Sequence, residues 1–188
     1  GIEEDAYALR ALAAARDRDG KPLAFFVANS FSKSMSLYGE RCGALSVVCA
    51  GAAEAVNVLG QLKFTVRRNY SSPPIHGGQI VAAVLSEPDL RHAWEGELGA
   101  MRERIQAMRV ALHNVLAAKM PDRDFSYFLR QRGMFSYTGL SKEQMQRLRG
   151  EFGVYGVDSG RICVAALNER NLDAVVTAIA HVTEKVPA

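Results

Sequence analysis

The sequence predicts an α/β fold in two lobes, and three observations carry that expectation. Two short, nearly unbroken apolar runs at 23–28 and 44–49 read as strands of a sheet covered on both faces. Large apolar residues recur every three or four positions from Leu90 to Leu116, which is the stripe of one long helix. Beyond Pro121 short strand-like segments again alternate with helical ones, so a second, smaller α/β lobe is expected to begin near residue 98.

Residues 3–18 read as an amphipathic helix with Ala6, Leu9, Ala13 and Ala14 on one side. Gly20 suits the left-handed position after its last turn. The two strands follow. Residues 51–64 form a helix whose inner side carries Ala52, Ala55, Val56 and Leu59. The periodicity then breaks over 66–74, a loop holding Arg67 and Arg68, and Pro73 and Pro74 force an extended exit. Small apolar residues at 77–85 make a short helix. Pro88 stands in the first turn of the long one, which at about 30 residues extends ~45 Å. After Pro121 come a strand at 133–137 and a helix at 141–152, entered through a Ser141/Gln144 capping box. Short strands at 154–157 and 161–165 lead to a closing helix at 172–182, capped by Asn171 or a neighbour.

The composition excludes several function classes. Among 188 residues the formal charge is only +3, and the basic residues are dispersed, which argues against nucleic acid. Cys42, Cys49 and Cys163 stand singly, an odd count that points to reduced thiols and a cytoplasmic setting. His76, His92, His113 and His181 lack metal-ligand spacing. Nothing resembles a signal peptide, and no apolar run approaches the roughly 20 residues of a membrane span. The chain opens on Gly1 without an initiator methionine, so it is expected to be part of a longer polypeptide.

The chemistry gathers between the first two strands. The polar loop there holds Ser30, Ser32, Lys33 and, eight residues on, Arg41. Hydroxyl and guanidinium donors are what a phosphate dianion needs. A lysine beside such an anchor is placed to form a Schiff base, and pyridoxal phosphate combines a phosphate with an aldehyde.

Ser30, Ser32 and Lys33, followed by Leu37, Tyr38, Glu40, Arg41 and Gly43, resemble the cofactor-lysine signature of class I pyridoxal-phosphate aminotransferases, the aspartate and aromatic amino acid family. The likeness runs over essentially the whole chain and is greatest to the bacterial aromatic branch. It implies fold type I, with residues 1–97 as the C-terminal part of a large, mostly parallel-sheet domain and 98–188 as a small α/β domain. The long helix would join them, and the N-terminal half would be absent from this chain. Lys33 would then be the catalytic lysine, with Ser30, Ser32 and Arg41 around the cofactor phosphate.

The segment from Gly160 to Asn168 resembles the one that bears the α-carboxylate arginine, which implies that role for Arg161. Arg67, followed by Asn69, Tyr70 and the serine-proline run, resembles the loop that crosses a homodimer interface to meet a second substrate carboxylate. Phe135 matches an aromatic residue of the substrate pocket. The implied reaction moves an amino group between tyrosine, phenylalanine, aspartate or glutamate and 2-oxoglutarate. The carboxylate that keeps the cofactor's pyridine nitrogen protonated has no counterpart here, so the chain alone is expected to be inactive. A dedicated aspartate aminotransferase is the alternative, and a non-catalytic α/β binding module the remote one.

Overall fold

The structure is a computed structural model and describes residues 1–184. It divides into two compact units, Gly1–Leu98 and Gly99–Ala188.

The first unit opens with two short helices, α1 (Ile2–Asp5) and α2 (Tyr7–Ala14), where the sequence suggested one helix to residue 18. Ala15 is already extended, and Arg16 makes an isolated bridge to Pro22. The Asp17 carboxylate closes the turn between them by accepting from the amides of Asp19 and Lys21 at 2.8 and 2.9 Å. Gly20 is left-handed, with φ of 78°, but it belongs to this turn and not to a helix end.

Strands β1 (Phe25–Ser30) and β2 (Gly43–Val48) pair antiparallel, from Phe25 opposite Val48 to Ser30 opposite Gly43. Continuous apolar runs suggested strands buried on both faces. Among the described residues the ribbon is largely exposed instead, with Phe26 at 73% and Leu45 at 54%. Two strands present apolar side chains on both sides, and the helices of this unit cover little of either.

Helix α3 (Ala52–Asn69) continues five residues beyond its expected end at Phe64. Arg67 and Arg68 therefore lie in its last turn, not in a loop, where cations complement the helix dipole. The two prolines take effect only after Tyr70. Helix α4 (His76–Ser86) buries Gly77 and Val81. A β-carbon on Gly77 would stand 3.0 Å from Cys42 Cβ and 3.1 Å from Glu40 Cβ, so α4 backs closely onto the end of the loop between β1 and β2. Helix α5 (Pro88–Lys119) is continuous over 32 residues.

The second unit holds the buried core. Leu112 and Leu116 of α5 pack with Phe128 of α6 (Tyr127–Arg130), Met145 and Leu148 of α7 (Lys142–Phe152) and Val176 of α8 (Leu172–Thr183). Strands β3 (Phe135–Tyr137) and β4 (Arg161–Cys163) pair antiparallel along one side. The Ser141 hydroxyl accepts from the Gln144 amide while the Gln144 side chain accepts from the Ser141 amide, the reciprocal cap expected of that spacing. Residues 154–157 form no strand. Val157 instead donates to the Arg161 carbonyl at 3.1 Å and closes a turn into β4. Residues 164–166 tighten into a 3₁₀ turn, ending β4 earlier than expected. Asn171 caps α8 by position alone; its side chain bonds back to the Asn168 amide and the Ala166 carbonyl.

Candidate functional site

In the first unit, the loop carrying Ser30, Ser32, Lys33 and Arg41 is pinched at its base by the β1–β2 ladder. Ser30 pairs with Gly43, and Phe31 adds one more bond to the Cys42 carbonyl at 3.1 Å. Inside the loop the Phe31 carbonyl accepts from Met35 and Leu37, which folds the chain back on itself. The Ser30 hydroxyl accepts from the Ser32 amide at 3.3 Å, and Ser32 is buried at 7% exposure. Those contacts fix the backbone on either side of Lys33.

Tyr38 organises the rest of the turn. The Lys33 ammonium lies 4.1 Å from the centre of its ring. The Arg41 guanidinium donates to its carbonyl at 3.0 Å. Arg41 itself adopts φ of 51°, a conformation that costs a non-glycine residue on the order of 1 kcal/mol and signals a position fixed by its surroundings. One tyrosine thus faces the amine with its π-face and holds the guanidinium with its backbone. A primary amine, two serine hydroxyls and a guanidinium on one turn fit a phosphorylated aldehyde: donors for the dianion and a nucleophile for the carbonyl carbon. Among the described residues, no cluster of histidine, cysteine or carboxylate side chains could hold a metal ion.

Arg67 is exposed at the end of α3, and its guanidinium donates to the Ser71 hydroxyl at 2.6 Å. Arg68 packs over the Phe64 ring at 5.3 Å. Of the two, Arg67 is the one steered toward the segment after the helix.

The remaining nominated residues belong to the second unit. Arg161 begins β4 and is exposed, with its guanidinium carbon 4.8 Å from the centre of the Phe135 ring. The register explains this contact. Tyr137 stands opposite Arg161, and Phe135 lies two residues along the same face of β3, within diagonal reach. Among the described residues, no carboxylate forms an ion pair with Arg161. A guanidinium backed by an aromatic face and lacking an internal acid is suited to an incoming carboxylate. Gly160 sets its direction. With φ of 88° it is left-handed, and a β-carbon there would approach the Leu140 carbonyl at 3.0 Å. The Gly160 carbonyl accepts from both the amide and the hydroxyl of Thr138, at 2.9 and 2.8 Å.

Sequence reasoning missed Arg109 and the separate part played by Tyr38. Arg109 had a visible signal: it falls on the same helical face as Ile105, Leu112 and Leu116. Burial holds its guanidinium pKa below the ordinary range, and nearby Arg132 adds to the effect. A cavity of about 350 Å³ in this unit, lined by Phe125, Tyr127, Leu140 and Thr183 among others, contains none of the nominated residues.

Comparison with known proteins follows the same residues. The family model described as aminotransferase class I and II matches residues 1–179. The aromatic-amino-acid aminotransferase of Escherichia coli K12 is 59% identical over 182 residues, covering 97% of this chain and 44% of that protein. The aspartate aminotransferase of Pseudomonas aeruginosa is 55% identical over the same share of each. Among solved structures, the Burkholderia pseudomallei aromatic-amino-acid aminotransferase covalently bound to pyridoxal phosphate superposes with a TM-score of 0.90 at 58% identity. That match covers 98% of this chain and 45% of the solved one. The chain thus spans under half the length of the relatives it matches.

Proposed function

The chain belongs to the class I and II aminotransferases, with the α/β fold of type I pyridoxal-phosphate transferases, and on that premise we propose that the full-length protein is an aminotransferase of aromatic and dicarboxylic amino acids with 2-oxoglutarate as acceptor. The observation that carries the reading is the single turn from which Lys33, Ser30 and Arg41 all project, closed at its base by the Ser30–Gly43 pairing. When bound, pyridoxal phosphate supplies the electron sink that makes a substrate's Cα proton labile.

The family resemblance implies a role for each side chain, and its chemistry suits that role. Ser30, Ser32 and Arg41 hold the phosphate, and Arg41 is oriented for it by the Tyr38 carbonyl. Lys33 anchors the cofactor and then, as a free amine, accepts and returns the Cα proton. Arg161 grips the α-carboxylate with two parallel N–H donors, and Phe135 backs it. Arg67 meets the second carboxylate of aspartate, glutamate or 2-oxoglutarate. With an aromatic substrate it must swing out to water, since a guanidinium buried unpaired costs several kcal/mol. The family resemblance supports a homodimer in which Arg67 serves the neighbouring subunit, and the single, unpaired cysteines support a cytoplasmic setting.

The test uses the full-length polypeptide reconstituted with pyridoxal phosphate. Borohydride reduction followed by peptide mass spectrometry should fix the cofactor on Lys33, and Lys33→Ala should abolish that label and lower turnover by at least about 10²-fold. Cofactor found elsewhere, or full activity in the variant, overturns the reading. The alternative is a dedicated aspartate aminotransferase, which has the aspartate relative at 55% identity behind it, and the ratio of kcat/KM for phenylalanine and aspartate decides between the two.

A further inference from the structure

Arg109 is 4% exposed, inside the apolar core of the second unit, on the face of α5 that carries Leu112 and Leu116. Its guanidinium donates to the Gly133 carbonyl at 2.6 Å, the Phe128 carbonyl at 3.4 Å and the Ser136 hydroxyl. Among the described residues no carboxylate pairs with it. A cation buried without a counter-charge is expensive, and an aliphatic side chain of similar length would fill this space at lower cost. Packing alone therefore gives no reason for an arginine here. The reason lies in what the guanidinium holds.

All three acceptors belong to residues 128–136, the segment that runs into β3. Gly133 turns in the left-handed conformation, φ 79°, and two of the three bonds fall on either side of Met134. Ser136 is the buried middle residue of β3, flanked by the outward-facing Phe135 and Tyr137. In a strand of period two, a residue that is pinned on the inner face fixes its neighbours on the outer one. A slip of one position would turn Phe135 inward and leave Arg161 without its aromatic backing.

We propose that Arg109 is a positioning residue: by clamping Gly133 and Ser136 it sets the register of Phe135 and Tyr137 against Arg161, and thereby the affinity for a substrate carboxylate. This rests on the reading of Arg161 as the carboxylate-binding group. The clamp acts on binding and leaves proton transfer at Lys33 alone.

The test uses the full-length enzyme loaded with pyridoxal phosphate and hydrocinnamate, a monocarboxylate without an amine that can bind but cannot react. Ser136→Ala removes one acceptor and leaves the buried charge in place, so it is the mild variant; Arg109→Lys keeps the charge and loses the fork. By calorimetry Ser136→Ala should weaken hydrocinnamate about threefold and Arg109→Lys about tenfold or more. KM for phenylalanine should rise in parallel, with kcat within about twofold and the cofactor absorbance unchanged. In an Arg161→Lys background, adding Ser136→Ala should change hydrocinnamate affinity by less than about twofold, because the group being positioned is gone. If Ser136→Ala and Arg109→Lys lower Tm but leave both Kd and KM unaltered, Arg109 is structural only and the proposal is overturned. If Arg161→Lys itself leaves the Kd unaltered, the carboxylate reading falls, and the proposal with it.

Discussion

The indole Nε1 of Trp94 donates to the backbone carbonyl of Ser34 at 2.7 Å, tying helix α5 to the residue next to Lys33. Sixty residues separate the two in sequence. The bond fixes one side of the lysine turn, as the Tyr38–Arg41 contact fixes the other.

Trp94→Phe keeps most of the ring's packing and removes the donor. A hydrogen bond of this kind contributes about 1 kcal/mol net, close to a factor of five in a local opening equilibrium. Amide exchange over residues 31–37 of the full-length protein should accelerate about fivefold, and cofactor affinity should fall by a similar factor. Unchanged exchange in that segment would show that the turn holds without the tether.

Gly43→Ala tests the base of the same loop. The new β-carbon would stand 2.6 Å from the Asn29 carbonyl oxygen, a backbone atom within the β1–β2 ladder that cannot step aside cheaply. Strain of this type costs about 1–3 kcal/mol. The expected result is a Tm lower by several degrees, with covalent cofactor occupancy at Lys33 reduced as the loop base opens. A variant with wild-type Tm and occupancy would mean that the ladder relaxes freely at Gly43.

Asp158 and Arg149 give a pH-dependent signature. The Arg149 guanidinium reaches the Asp158 carboxylate at 2.7 Å and the Gly156 carbonyl at 3.3 Å, and the first of these holds the Asp158 pKa below the usual carboxylate value. A carboxyl group whose pKa is depressed on folding stabilises the fold fully above its unfolded pKa, about 3.9. It loses that contribution as pH falls through the lower folded value. Asp158→Asn should therefore lower Tm slightly at pH 7, with the gap to wild type closing below about pH 4 and shrinking in high salt. A gap that persists undiminished at pH 2 would assign the effect to something other than the ion pair.

Much of this architecture was legible in the chain. The 3.6-residue stripe from Leu90 to Leu116 marked α5, since burying one face of a helix demands that period. The Ser141/Gln144 spacing marked the entry to α7, because a reciprocal cap needs a hydroxyl and an amide three residues apart. The serine, lysine and arginine of the 30–41 turn were visible as a chemical set, and their string carried the family. Local pattern was a poorer guide at element ends. Helix α3 ran on through Arg67 and Arg68 because nothing in Val66–Asn69 opposes a helix, and the two prolines act only on the residues beside them.

Residue types and their spacing made the hydroxyl, amine and guanidinium groups of the 30–41 turn visible as a set, and the family resemblance nominated Arg67 and Arg161, since both depend on side-chain identity within short stretches of chain. Folding decided which of them meet a partner far away in the chain. Arg109 on Gly133 and Ser136, Trp94 on Ser34 and Phe135 beneath Arg161 each join segments at least 24 residues apart. Such contacts come from packing two faces in three dimensions, and no periodicity along one segment encodes where its neighbour will lie.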